Sequence, residues 1–273
     1  MKAFTRCIIV LVSLMLLLYT TFPFFWLLLS SIKYPVELYS IPPRFFPQRP
    51  TLNGYVAVLR DSEFLRSLLN TMIISLAATS IALAIGVLSA YAITRLRFRG
   101  KRTLFLSFFI TQFIPPIVVL IPLYLIMQKF KLLGSFQGVI ATQLTFLMPY
   151  VIWLLYGYFV RFPYELEEAA LVDGCTRFQA LTKVILPLSA PGLISTSIFA
   201  FVASWNDFLY ALVIGMGHIK TISVKLAEYI GEARIVYELM FPGAIIGTLP
   251  VILVALVFQR YIIQGLAEGA LRG

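Results

Sequence analysis

The chain has 273 residues, of which 60% are hydrophobic and only 12% are charged. Soluble domains carry roughly 25% charged residues, so a water-soluble fold of this composition would leave large apolar patches facing solvent. The composition therefore excludes an ordinary soluble protein and predicts that the chain lies in lipid. The formal charge of +10 then indicates Lys and Arg in cytoplasmic loops and near anionic membrane lipid, and no nucleic-acid binding is expected.

Metal and redox sites are not expected either. Cys7 and Cys175 are too few to form a disulfide framework. The single histidine, His218, has no cluster of Cys, Asp or Glu beside it, and neither HExxH nor CxxC occurs in the sequence. The sequence therefore predicts that the chain binds no metal.

Six apolar stretches are long enough to cross the bilayer, since a spanning helix needs about 20 predominantly apolar residues. The first follows Lys2 and Arg6, as in a signal peptide, but its apolar core is longer than the usual ~7–15 residues and no cleavage site follows, so we expect a retained span. The predicted fold is all-α, one polytopic membrane domain over residues 1–273. Its predicted spans are Cys7–Leu29, Leu68–Ile93, Leu104–Met127, Phe136–Val160, Ser189–Gly215 and Leu239–Ile262.

The loop Arg95–Arg102 sets the predicted orientation. It holds five positive charges in eight residues and no acid, and short loops rich in Lys and Arg lie on the cytoplasmic side. We therefore place this loop in the cytoplasm. With six spans in a cell (inner) membrane, both termini are then also predicted to be cytoplasmic.

Small residues and prolines predict that the spans pack against one another. Small side chains recur every four residues in the second span, which gives one face where another backbone can approach closely; they are Ala78, Ala82, Gly86 and Ala90. Prolines interrupt the third span and predict a bent helix, which either lines a pore or is only a structural kink; they are Pro115, Pro116 and Pro122.

The inner segment Arg161–Ser189 is predicted to form two short helices joined by a glycine. Strong helix formers fill Tyr164–Asp173, and Gly174 can adopt the left-handed conformation that ends a helix. Thr176 and Gln179 have the spacing of a capping box that opens the second helix. We therefore expect a helix–Gly–helix elbow on the cytoplasmic side. One face of its second helix is expected to carry Phe178, Leu181 and Ile185.

The elbow also contains a specific pattern: Glu168-Ala169-Ala170, three residues, Gly174, nine residues, then Val184-Ile185-Leu186-Pro187. It resembles the EAA loop of ABC importer permeases, which reads E-A-A, three residues, G, nine residues, I-x-L-P. Val184 in place of Ile conserves side-chain volume. Other segments are similar to carbohydrate permeases of the maltose type, in particular the six-span member of the pair; they are Trp205–Leu209, Gln259–Gly273 and the positions Tyr91, Arg95, Phe98 and Gly100.

This resemblance implies a type I ABC importer permease fold and a subunit that forms half of a pore for a sugar. It implies, as partners, a second homologous permease subunit, two cytoplasmic ATP-binding subunits and an extracytoplasmic solute-binding protein. ATP and Mg are then expected on the ATPase subunits. This chain has no phosphate-binding glycine loop and no nucleophile or base motif, so it is expected not to be an enzyme.

Three groups of candidate site residues follow. The ATPase-coupling residues, within the loop 161–188, are expected to be Glu165, Glu168, Ala169, Ala170, Asp173, Gly174, Leu186 and Pro187. The alanines would leave room at the helix surface for a partner groove. By family analogy the C-terminal tail would reach the ATPase through Gly265, Leu266, Gly269 and Arg272.

The third group is a substrate pathway, whose amides could bond sugar hydroxyls and whose rings could stack on sugar faces. Its candidates are Gln112, Gln143, Trp205, Asn206, Asp207 and Tyr210. Asp207 is the only acid well inside a predicted span, and such residues face protein or water. It is expected either in the pore lining with Asn206 or near the outer interface beside Trp205 and Tyr210.

Other classes of protein remain as alternatives. An ion-driven secondary transporter would show broken helices at matching positions in two halves, whereas the prolines here cluster in one span. An intramembrane enzyme would need a catalytic dyad or a metal set, and the sequence contains neither. Within ABC importers, a permease for peptides, glycerol phosphate or another small solute is the alternative to a sugar permease.

Overall fold

The computed structural model describes residues 2–231 and 235–270. Within these ranges the regular elements are helices, apart from an isolated antiparallel bridge between Ile230 and Ile235. Helices α1 to α7 are Lys2–Ser31, Pro35–Leu38, Asn53–Arg60, Ser62–Arg95, Lys101–Thr111, Pro116–Lys129 and Phe136–Phe159. Helices α8 to α14 are Tyr164–Val172, Arg177–Ala180, Leu186–Leu188, Ala190–Trp205, Leu209–Gly215, Ile222–Glu228 and Tyr237–Ala270. A π-helix, Leu181–Ile185, lies between α9 and α10.

The membrane spans are helices of high hydropathy. In the described ranges, four are long and apolar enough to cross a bilayer, and six spans result if each of two bent helix pairs counts as one. The bent pairs are α5 with α6, at 102°, and Arg177–Leu188 with α11, at 80°. The four long spans are Ile8–Ser31, Ser62–Arg95, Phe136–Phe159 and Tyr237–Tyr261.

Two predicted spans are interrupted. The third, Leu104–Met127, is divided where Pro116 occupies the first turn of α6, a position that proline favours, whereas Pro122 lies inside α6 without ending it. The fifth, Ser189–Gly215, is divided at residues 206–208 into α11 and α12. The bend predicted from the prolines is therefore present, and a second break exists that no proline marks.

The small-residue face of α4 packs against α7. Ala78, Ala82 and Ala90 are fully buried. A Cβ atom built on Gly86 would lie 2.6 Å from Cγ1 of Val151, which is closer than carbon atoms can approach. These side chains share a core cluster with apolar residues of α7. The predicted close approach of two backbones is confirmed.

The chain divides into two compact units. One contains the described residues up to 65 together with those from 225 to 249, and the other contains residues 66–224 and the described residues from 250 onward. In the first unit, Lys225 Nζ lies 3.2 Å from Asp61 Oδ2 and 2.9 Å from Glu63 Oε2. Burial disfavours the charged ammonium, but the hydrogen bonds to Glu63 and Asp61 outweigh it and raise the pKa of Lys225. Burial also disfavours the charged form of Asp61 and by itself would raise the pKa of that carboxyl. The hydrogen bonds that it accepts from Lys225 and from backbone N–H groups have the larger effect, so the pKa of Asp61 is lowered.

Candidate functional site

The elbow forms as its sequence predicts. Helix α8 ends at Val172, and Gly174 follows the C-cap residue Asp173 with φ of +88°; a residue with a Cβ atom adopts this conformation only with strain. The N–H of Cys175 donates to the Ala170 carbonyl at 3.0 Å and that of Gly174 to the Leu171 carbonyl at 3.1 Å, the pairing of a Schellman C-cap. Thr176 and Gln179 then make the predicted capping box at the start of α9. The turn between the two helices is thus specified locally.

Most of the expected coupling residues lie on the exposed side of the elbow. Six of the eight are exposed and Leu186 is partly exposed; the exposed ones are Glu165, Glu168, Ala169, Asp173, Gly174 and Pro187. Ala170 differs from the expectation, since its exposure is only 7%. It follows Glu167 by three residues, and this spacing puts both on the same buried face of α8. The surface available to a partner therefore contains Ala169 and not Ala170.

A buried carboxylate holds α8 to the end of the second span. Glu167 is 4% exposed. Its Oε1 accepts a hydrogen bond from the Tyr91 hydroxyl at 2.6 Å and one from Arg177 Nη1 at 3.3 Å. Its Oε2 lies 3.7 Å from Arg95 Nε. One side chain of α8 thus contacts both α4 and the residue that opens α9.

Arg95 fixes the other end of the same helix. Its Nη2 donates to the carbonyls of Phe159 and Phe162, at 2.9 and 2.8 Å. Its guanidinium carbon lies 4.5 Å from the ring centroid of Tyr164, and the Tyr164 hydroxyl donates to the Thr94 carbonyl at 2.9 Å. The entry to the elbow is therefore attached to the last turn of α4 by both charge and aromatic contacts.

The second helix of the elbow departs from the predicted pattern. Leu181 and Ile185 are buried, each 2% exposed, but Phe178 is 65% exposed. The π-helix Leu181–Ile185 has a wider turn than an α-helix, so α-helical spacing does not extend across it. The expectation that Phe178 shares a face with Leu181 and Ile185 is wrong. Phe178 instead adds an aromatic ring to the exposed side of the elbow.

Several expected pathway residues lie inside the chain. Gln143, Trp205 and Tyr210 are 0%, 3% and 2% exposed. The Ser204 hydroxyl donates to Gln143 Oε1, and Gln143 Nε2 donates to Asp207 Oδ2 at 3.0 Å. The Asp207 carboxylate also accepts the backbone N–H groups of Tyr210 and Ala211. Asp207 therefore caps α12 and ties it to α7, an arrangement that accounts for a carboxylate within this segment.

Two neighbouring cavities lie at the breaks in the spans. One, of about 400 Å³, is lined by Gln112, Thr145 and Tyr210, and the other, of about 420 Å³, by Asn206, Asp207 and Tyr210. Both also contact Pro116 and Phe146, and the Phe146 and Tyr210 rings stack with their centroids 5.7 Å apart. Four of the six candidates therefore line these cavities, whereas Gln143 and Trp205 are buried and line neither of them. No local pattern distinguishes Phe146 from the many other aromatic residues of the chain.

The sequence profile of one protein family matches residues 82–268, more than half of the chain. Its description is "Binding-protein-dependent transport system inner membrane component". The chain belongs to this family. It is therefore a transport permease of the inner membrane and not an enzyme, as predicted, and the alternatives of a secondary transporter and an intramembrane enzyme are set aside. Such a permease works with a partner permease and with ATPase and solute-binding components.

Individual relatives agree with this family over almost their whole length. The permease is 35% identical to the sulfoquinovosyl glycerol transport system permease protein SmoH of Agrobacterium fabrum, with 92% of this chain and 89% of that protein covered. It is 31% identical to the trehalose/maltose transport system permease protein MalG of Thermococcus litoralis, with 98% and 97% covered.

A solved structure agrees on the fold. A chain from the crystal structure of a bacterial ABC transporter involved in the import of the acidic polysaccharide alginate superposes with a TM-score of 0.78 at 24% identity, covering 95% of this chain and 96% of that one. The predicted all-α, polytopic ABC importer permease fold is confirmed.

The C-terminal tail of the permease is only partly described. Gly265, Leu266 and Gly269 belong to the last turns of α14, which ends at Ala270. Arg272 lies outside the described residues. The expectation that this tail reaches the ATPase stays a prediction.

Sequence reasoning missed the two residues that hold the permease's elbow in place. In the sequence, Glu167 has no feature that distinguishes it from the other acids of α8, and Arg95 stands in the basic loop and among the positions similar to carbohydrate permeases. Their partners lie 76 and 64 positions away in the chain, so no local sequence pattern predicts these contacts. The available signal was the period of α8 itself, because Tyr164, Glu167 and Ala170 recur every three residues.

Proposed function

We propose that this permease forms half of the membrane pore of an ATP-driven importer, and that it moves a sugar, of di- or oligosaccharide size, into the cytoplasm. The observation that carries the proposal is the elbow: an exposed helix–Gly–helix surface fastened to the second span by Glu167 and Arg95. The similarity to permease proteins for trehalose/maltose and for sulfoquinovosyl glycerol supports a carbohydrate substrate.

The proposed assembly contains a second homologous permease, two cytoplasmic ATPase subunits that bind ATP and Mg, and an extracytoplasmic solute-binding protein. The elbow faces the cytoplasm, as do both termini. The loop Arg95–Arg102, with its five positive charges, supports this orientation. Because Arg95 in that loop also bonds the carbonyls that lead into α8, the basic loop and the elbow lie on the same side of the membrane.

The coupling step is a movement of the elbow by the ATPase. Turning a two-state pore from 1:99 to 99:1 requires about 5.5 kcal/mol of differential binding, whereas one exposed salt bridge provides up to ~1 kcal/mol. The contact must therefore be a shape-filling one. Apolar side chains suited to this stand exposed around Ala169: Leu166 at 41%, Val172 at 87% and Phe178 at 65%. The fastening through Glu167 would then pass the movement to α4.

The substrate passes the two cavities at the broken spans. Gln112 and Asn206 supply amides there, and Phe146 and Tyr210 supply stacked rings. Amides and aromatic faces are the groups that recognise sugar hydroxyls and sugar ring faces. Asp207, which lines one of the cavities, and the buried Gln143 support this surface by positioning α12.

Cysteine crosslinking tests the coupling role. With Cys7 and Cys175 replaced by serine, Val172→Cys should crosslink to an ATPase subunit in the assembled transporter, and the crosslink should block uptake of labelled disaccharide. Met216→Cys, half exposed in the turn after α12, is the control and should give no such product. An elbow that never reaches an ATPase subunit, while Met216→Cys does, would overturn both the coupling role and the orientation.

A panel of labelled mono- and disaccharides, offered with the cognate binding protein, tests the substrate class. Uptake of at least one disaccharide is expected, and it should fall in Asn206→Ala. Uptake of only glycerol phosphate or peptides would reject the carbohydrate part of the proposal and leave the permease assignment intact.

A further inference from the structure

An open cavity of about 580 Å³ lies at the end of the second span, beside the elbow. Its lining combines basic, acidic and apolar side chains, and the acids are Glu167 and Glu168. Three guanidinium groups come from Arg95, Arg97 and Arg177, and apolar surface comes from Leu96, Phe98 and Leu171. A site that combines several arginines with apolar walls suits an anion attached to an apolar body, because guanidinium groups bind phosphate oxygens in a forked geometry.

One of these arginines is buried with unused donor capacity. The Arg95 side chain is 1% exposed, and its Nη2 is satisfied by two carbonyls. Its Nη1 and Nε have no hydrogen-bond partner among the described residues, although Nε lies 3.7 Å from Glu167 Oε2. A buried N–H group without an acceptor is unfavourable, because it has lost its hydrogen bonds to water. An anionic oxygen in the cavity would satisfy it.

The acids in the lining do not oppose an anion strongly. Glu167 already accepts hydrogen bonds from Tyr91 and Arg177 and faces Arg95, so its charge is compensated within the wall. Glu168 is exposed. Beyond the three lining arginines, the loop continues with Arg99, Lys101 and Arg102, which makes the local potential more positive.

We propose that this cavity binds a phosphate group, supplied either by an anionic lipid headgroup or by free phosphate. Arg95 is the last residue of the span Ser62–Arg95, which puts the cavity at the depth of lipid headgroups, where basic pockets bind anionic lipids. The bound phosphate would join the basic loop to the elbow, since Arg97 and Arg177 belong to those two segments. The inference rests on the proposed function only for assigning this end of the span to the cytoplasmic leaflet.

The test measures retention of phosphatidylglycerol by native mass spectrometry of the purified transporter complex. Arg97 is exposed and lines the cavity, whereas Arg99 is exposed on the same loop and does not line it, so Arg97→Gln and Arg99→Gln make the same charge change. We expect Arg97→Gln to weaken binding about tenfold, as for a lost charge-assisted hydrogen bond, and Arg99→Gln to change it less than about twofold.

Further arms separate the sources of phosphate. Retention of phosphatidylglycerol in preference to phosphatidylcholine, unaffected by inorganic phosphate, assigns a lipid headgroup; binding of inorganic phosphate with the same dependence on Arg97 and no retained lipid assigns a free phosphate. Equal losses in both variants, or no binding of either probe, would overturn the proposal. So would binding that occurs only after the ATPase subunits are removed, because an acidic group of that partner would then be the occupant. None of these readouts requires transport, so they stand apart from a failure of the proposed function.

Discussion

Replacing Glu167 by glutamine should loosen the elbow without changing its shape. The substitution removes the buried charge of α8 but keeps the length of the side chain and one carbonyl acceptor. The Tyr91 hydroxyl, at 2.6 Å, loses the charged character of its acceptor, which about halves a hydrogen bond of ~1.5–3 kcal/mol. The pair with Arg177 contributes up to ~1 kcal/mol, because that side chain is 58% exposed.

The remaining part of the free-energy cost of Glu167→Gln comes from Arg95. Its guanidinium, 1% exposed, loses its counter-ion but keeps the carbonyls of Phe159 and Phe162, so the cost stays below the ~3–5 kcal/mol of a fully broken buried pair. We expect a loss of about 2 kcal/mol in the local opening free energy of α8, which corresponds to roughly thirtyfold in the opening equilibrium.

Hydrogen exchange of the intact transporter measures this quantity. Backbone amides of α8 should exchange roughly thirtyfold faster in Glu167→Gln, and sugar uptake should fall while ATP hydrolysis continues, since the moved elbow would no longer carry the span with it. The exposed neighbour Glu168 provides the matched control, and Glu168→Gln should leave exchange within about twofold of the wild type. Unchanged exchange in Glu167→Gln would show that the buried carboxylate does not fasten the elbow.

Three further predictions concern backbone space and charge. Gly86→Ala should destabilise the permease by about 1–3 kcal/mol in thermal unfolding, because its Cβ would meet Val151, whereas Gly157→Ala, with open space around it, should not destabilise it. Gly174→Ala should cost about 1–2 kcal/mol at its positive φ and speed hydrogen exchange at the elbow; a normal rate would contradict this account of the turn. Lys225→Met should destabilise the permease at pH 7. The pKa of Asp61 is lowered in the folded state. The stability that its ion pair contributes is therefore fully present above the pKa of the unfolded state, about 3.9, and is lost as pH falls through the lower pKa of the folded state. The difference in the free energy of unfolding between Lys225→Met and the wild type should therefore decrease as the pH is lowered into the acid range. A difference that stayed constant would refute this assignment.

Local signals in the sequence predicted the elbow well. The positive φ of Gly174 and the capping box of Thr176 and Gln179 depend on residues within a few positions of one another, which is the range over which turn and cap chemistry acts. The small-residue face of α4 was predictable for a similar reason, since a four-residue repeat marks one side of a helix. In each case the physics that selects the residues is contained in the segment itself.

The positions of polar side chains within the membrane domain were less predictable. Gln143 and Asp207 are candidates for the substrate pathway because they are polar residues in apolar segments, and in the structure they bond to each other while Asp207 also bonds to the start of α12. A polar group among apolar residues must find a partner, and the sequence does not distinguish a partner in the protein from one in the substrate. The π-helix at Leu181–Ile185 was missed because it changes the helical period on which face assignments depend.

The packing of the small-residue face of α4 against α7 has a consequence for biogenesis. Its contacts, such as Gly86 against Val151, lie within a single polypeptide, and both helices are complete once residue 159 has been synthesised. Helices in a bilayer insert first and associate afterwards, so this pair can associate while the remaining spans are still emerging from the ribosome. The newly synthesised subunit would then meet its assembly partners with α4 and α7 already packed against each other.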